Sequence, residues 1–121
     1  MNFIRNIKFL LELLRYTADG FSVCKIYQIL ELKKLNIKEE IIEFGSNNYK
    51  ESLIRYVKKN KLEIFFSNLL NYKSQNYFKI DLEKKNRIKK KFKNILAFNV
   101  LEHIHNDNNA LNEFNKLLKK K

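Results

Sequence analysis

The segment Glu102-His103-Ile104-His105-Asn106-Asp107 holds the densest set of reactive side chains in the sequence. Imidazole titrates near neutral pH, so His103 suits a general base. His103, His105 and Asp107 are also competent metal ligands, and the two histidines would share a face if the segment were extended. A metal site needs supporting partners that so short a polar turn does not itself supply, so no metal is assigned. A second cluster is Glu43-Phe44-Gly45-Ser46-Asn47-Asn48-Tyr49. A glycine directly after an apolar run lets the backbone approach a ligand closely. Free N–H groups at the start of a following helix favour polar or anionic groups there.

Both clusters must be held by regular elements, and apolar periodicity locates these. Phe3, Ile4, Ile7, Leu10, Leu11 and Leu14 recur at helical spacing over 2–17. Gly20 suits a left-handed helix end. Ser22 suits an N-cap, with Phe21 and Ile26 placed to staple the start of a second helix that turns Val23, Ile26, Ile29, Leu30 and Leu35 inward. Ile41-Ile42-Glu43-Phe44 then reads as a short strand ended by Gly45. The pattern predicts a helix over Tyr49–Lys59, a strand over 62–66, and a third strand over 77–80 ending at Asp81. It continues with a charged helix over 82–91, a fourth strand over 95–100, and a helix over 107–119 with Ala110, Leu111, Phe114, Leu117 and Leu118 on one face. Strands alternating with helices imply an α/β fold with a mainly parallel sheet and right-handed crossovers.

Composition narrows the class. The chain has 121 residues, 45% of them apolar, which supports one packed domain and excludes wholesale disorder. No apolar run is long enough to span a bilayer, and the first residues lack a signal-peptide layout. The single cysteine, Cys24, rules out an internal disulfide framework and a cysteine-based zinc site. A cytoplasmic location is therefore expected. The net charge is +12, which suits an anionic partner such as nucleic acid. Only four of the cations are arginine, the residue fitted to bidentate phosphate contacts, so charge alone does not favour that partner. The basic run Lys84, Lys85, Arg87, Lys89, Lys90, Lys91 and Lys93 would spread around a helix rather than form a stripe. Phe92 is its one aromatic platform.

Residues 95–114 resemble the fourth strand and following helix of class I S-adenosylmethionine-dependent methyltransferases of the type 11/12 kind, in which a Val-Leu-Glu-His-Ile stretch (100–104 here) precedes a helix like 110–119. The resemblance implies a partial Rossmann-like fold with sheet order 3-2-1-4. It assigns residues 1–37 to a helical cap and 38–121 to a partial cofactor domain. It implies S-adenosyl-L-methionine as cofactor, with Glu43, Gly45, Ser46 and Asn47 forming the loop at its amino-acid end. Asn47 and Tyr49 stand where the family has its second and third glycines. Asn68 stands where an acidic residue usually accepts from the ribose hydroxyls, and its amide oxygen is expected to accept instead. Asp81 would take the adenine amino group, with Leu82 against the ring; Asp81 is equally explained as a helix N-cap. Asn99 and Glu102 would lie beside the methionine part, and His103 on the acceptor side.

The resemblance also sets what is missing. The family's later strands have no counterpart before Lys121, so the chain is expected to be the cofactor-holding half, its own turnover in doubt and its methyl acceptor unknown. Strand four would then be an edge, open to self-association through unpaired backbone groups. The competing expectation is a small basic module that binds nucleic acid or protein without catalysis.

Overall fold

The computed structural model describes residues 2–57 and 62–120. The chain divides into two compact units between Leu35 and Asn36. The first holds α1 (Asn2–Ala18) and α2 (Val23–Lys34). Gly20, with φ of +79°, makes the turn between them, and the Ser22 hydroxyl caps α2 by accepting from Lys25 N–H at 3.3 Å. The buried face of α2 is Ile26, Ile29, Leu30 and Leu32. Val23 and Leu35, expected inside, are exposed. So are Ile7, Leu10, Leu11 and Leu14 of α1. The side chains of Phe3 and Ile4 lie outside the described ones. The α1 periodicity thus marks an amphipathic helix whose apolar stripe does not form this unit's core.

The second unit is built on β1 (Glu40–Phe44), β2 (Glu63–Asn68), β3 (Tyr77–Lys79), β4 (Asn94–Ala97) and α3 (Asp107–Leu117). All three strand pairings are parallel and the order is β3-β2-β1-β4, a partial Rossmann-like α/β sheet as expected. β1 is interior, and its last four residues are all buried, as a strand covered on both faces requires. Ile42, Phe44 and Phe65 join Ile80, Leu82, Phe92, Ala110 and Leu117 in one core cluster. Phe92 is fully buried, with its ring 5.4 Å from that of Phe65 and 5.8 Å from that of Phe78. Leu111 and Leu118 point outward instead.

Three expected elements are corrected. The helix predicted over Tyr49–Lys59 is a single 3-10 turn, Leu53–Tyr56; Lys58 and Lys59 lie outside the described residues. Local side chains take the N–H groups that an α-helix would need to order. Asn48 Oδ1 accepts from Lys50 N–H at 2.9 Å and Ser52 Oγ from Ile54 N–H at 2.9 Å. The fourth strand stops at Ala97, not 100, because Asn99 turns left-handed (φ +53°) and breaks the extended run.

The charged helix predicted over 82–91 does not form. Asp81 and Asn86 compete for the backbone: Asp81 Oδ1 accepts from Glu83 N–H at 3.0 Å, and Asn86 Oδ1 from Ile88 N–H at 3.1 Å. This irregular crossover is held along α3 at three points. Asn109 Nδ2 donates to the Leu82 carbonyl at 2.8 Å. Glu113 accepts from Asn86 N–H at 3.1 Å and from its side-chain amide. Phe92 N–H donates to the Leu117 carbonyl at 2.8 Å. Asn109, Glu113 and Leu117 are spaced four residues apart, so the anchors follow one side of the helix.

Candidate functional site

From β1 the chain builds outward through β2 to β3, then returns to place β4 on the other side of β1. A crevice at the carboxyl ends of β1 and β4 is the consequence of that reversal, and it is where ligands enter open α/β sheets. A hollow of about 350 Å3 lies there. Ligand sites commonly occupy roughly 300–1,000 Å3, so this one suits a small ligand or part of a larger one.

Each strand supplies a share of the wall. β1 gives Phe44 and Gly45, β2 gives Ser67 and Asn68, the stretch after β3 gives Ile80, Asp81, Leu82 and Glu83, and the turn after β4 gives Asn99, Val100, His103 and Ile104. Gly45 has a φ of +91°, and its N–H donates to the Ser67 carbonyl at 2.8 Å. A Cβ there would sit 3.1 Å from Val100 Cγ2 and 3.8 Å from the Phe98 carbonyl oxygen. The tips of β1 and β4 therefore abut at a point only glycine fits.

Of the residues expected at the site, Gly45, Asn68, Asp81, Leu82, Asn99 and His103 line the hollow; Glu43, Ser46, Asn47 and Glu102 do not. Glu43 is buried beneath the loop. Its carboxylate accepts from Ser46 Oγ at 2.8 Å, from Ser52 Oγ, and from Leu53 N–H at 3.4 Å. Glu43 therefore shapes the loop from inside rather than facing a ligand. Asn47 likewise serves the loop: its N–H and side-chain N–H both donate to Glu51 Oε2, at 2.9 and 3.0 Å, while Asn48 donates to Oε1 at 3.1 Å; the buried Asn47 Oδ1 has no hydrogen-bond partner among the described residues. Glu102 is exposed on the 3-10 turn Leu101–His103. Sequence reasoning missed Ser52 and Glu51. A Ser nine residues and a Glu eight residues beyond Glu43 would have signalled loop capping, had the helix after Gly45 not been assumed.

The polar lining is mixed. Asn68 Oδ1 accepts from Leu69 N–H at 2.8 Å, which leaves its amide N–H groups and the second lone pair of its oxygen for a ligand. Asp81 Oδ2 is 3.2 Å from the exposed Lys84 ammonium. Ser67 is fully buried and its hydroxyl oxygen has no hydrogen-bond partner among the described residues. The His105 backbone N–H, and next its ring, hold the Glu83 carboxyl below the usual carboxylate range. His105 Nδ1 is 3.0 Å from Glu83 Oε1. Because residues 101–103 are a helical turn, His103 and His105 do not share an extended face. Among the described residues no group of three metal-ligating side chains converges.

No family model, curated protein or solved structure matches the chain. What the site can do rests on its own chemistry. Apolar side chains (Phe44, Leu69, Ile80, Leu82, Val100, Ile104) can cover a ring, while a carboxylate and an amide can orient polar substituents. That donor set fits a nucleoside-bearing cofactor. The basic run is largely engaged within the chain. Lys84 pairs with Asp81, Lys90 with Glu40 at 3.3 Å, and Lys93 with Glu39 at 3.4 Å, while Lys91 donates to the Lys116 carbonyl. Among the described residues no helix is long and apolar enough to cross a membrane.

Proposed function

We propose that this chain binds S-adenosyl-L-methionine in the hollow and serves as the cofactor-holding part of a class I methyltransferase, the methyl acceptor being unassigned. The observation that carries the reading is the abutment of Gly45 against Phe98 and Val100, which puts the ends of β1 and β4 on one crevice at the reversal of strand order. The cofactor supplies an electrophilic methyl on a sulfonium. The chain's own residues bind and orient it. Leu82 gives the adenine ring an apolar wall, Asp81 accepts from its amino group, Asn68 donates to the ribose oxygens, and the left-handed Asn99 turns the backbone around the methionine part. His103 lines the same hollow and would take a proton from an acceptor hydroxyl or amine.

Calorimetric titration of the full chain with S-adenosylmethionine and with S-adenosylhomocysteine tests this. One site for each is expected, weakened by Asp81→Ala and unchanged by Glu102→Ala. At a hundred times the dissociation constant the ligand should add about 2.7 kcal/mol of stability, visible as a raised melting temperature. Absence of both heat and thermal shift, or equal binding of adenosine triphosphate, would overturn the assignment.

A further inference from the structure

α1 meets α2 through one side and leaves another bare. Phe9 stacks near Tyr27, with ring centroids 6.3 Å apart, Glu12 pairs with Lys33 at 3.2 Å, and that ammonium lies 5.1 Å from the Tyr16 ring centroid. At about 100° per residue, Phe9, Glu12, Leu13 and Tyr16 cluster on one side of the helix. Ile7, Leu10, Leu11 and Leu14 cluster roughly 160° away. Those four are 44%, 52%, 61% and 58% exposed, a contiguous apolar stripe two turns long. Lys8 and Arg15, seven residues apart, project together along the flank next to Leu11, and both are exposed. Glu12, the one acid of α1, is already engaged by Lys33.

We infer that this stripe is a docking surface for an anionic lipid bilayer, with α1 lying in the plane of the headgroups. An apolar face bordered by cations is the arrangement that embeds leucines at the acyl boundary while the basic side chains reach lipid phosphates. Charge decides the occupant. Lys and Arg outnumber Asp and Glu by 25 to 13, so a second copy approaching this face would bring like charge against Lys8 and Arg15, whereas an anionic surface attracts them. The surface lies on a different unit from the hollow and does not depend on what the hollow binds.

The chain contains no tryptophan, so a Leu11→Trp variant reports from one place. Its emission should shift to the blue with phosphatidylcholine vesicles containing phosphatidylglycerol, and not with phosphatidylcholine alone. In co-sedimentation of the otherwise native chain, Leu10→Asp and Leu14→Asp should each lower anionic-vesicle binding about tenfold or more. Lys8→Gln and Arg15→Gln should each lower it about fivefold. Unchanged emission of the Leu11→Trp variant with anionic vesicles overturns the inference. So does anionic-vesicle binding that ignores the leucine variants, which would make it diffuse charge attraction. A dimer in sedimentation equilibrium that Leu14→Asp dissolves would show the stripe to be a protein interface and would overturn it too.

Discussion

Replacing Glu113 by glutamine should loosen the crossover that walls the hollow. The Glu113 side chain is fully buried, and one carboxylate accepts from the Asn86 backbone N–H, the Asn86 amide and the Lys116 ammonium, the last at 2.5 Å. Glutamine keeps one acceptor oxygen but turns an NH2 group toward groups that are themselves donors. Hydrogen bonds to a charged acceptor contribute about 1.5–3 kcal/mol. The Lys116 ammonium is about half exposed, so its share is discounted to less than ~1 kcal/mol. The expected loss is therefore about 2–3 kcal/mol, or roughly 8–24 °C in melting temperature for a unit of this size. Its pH dependence has a definite sign. Burial pushes the Glu113 carboxyl up, but the Lys116 ammonium and the Asn86 N–H more than reverse this and hold it below its ordinary value. A depressed native pKa contributes stability above the unfolded pKa, near 4.5, that disappears as pH falls through the lower native value. The gap between native chain and Glu113→Gln in urea melts should narrow as pH falls below about 4.5. A variant within about 0.5 kcal/mol of native at pH 7, or a gap that persists undiminished in acid, would refute the view that this carboxylate holds the crossover.

Two further substitutions, one paired with a control at Gly20, probe the loop after β1. Gly45→Ala combines a positive φ, worth about 1–2 kcal/mol of strain, with a contact at 3.1 Å to Val100, whereas Gly20→Ala has the strain and open space; urea melts should show the larger loss at Gly45, and equal losses would remove the argument for close approach. Ser52→Ala strips the buried Glu43 carboxylate of a donor and Ile54 N–H of its acceptor, with an expected cost of about 1–3 kcal/mol by chemical denaturation, and a neutral result would show that water serves Glu43 equally well.

The sheet was legible because its strands are short β-branched and aromatic runs with few rival interpretations. Ile41–Phe44, Ile64–Phe66 and Ile95–Ala97 stand where apolar periodicity places them, whereas the order β3-β2-β1-β4 was implied by the resemblance alone. Connections were less legible for a shared reason. Asn48, Ser52, Asp81 and Asn86 each bind a backbone N–H two residues on, an option that apolar periodicity does not register. Glu43 was legible as an acid in the right place but not in its direction. A strand alternates faces, and only the partners Ser46 and Ser52, brought back by the loop, show that its carboxylate turns inward. The α1 stripe was legible as amphipathic. Whether such a stripe faces a core or the outside is decided by what packs on it, which no local pattern contains.

The four-residue rhythm of Asn109, Glu113 and Leu117 makes α3 behave as a measuring rod. Many residues on its outer side can change with little effect, yet inserting a single residue between Asn109 and Glu113 would swing the later anchors by about 100° and carry them off the crossover. Drift in composition is therefore cheap along this helix, whereas drift in length is not.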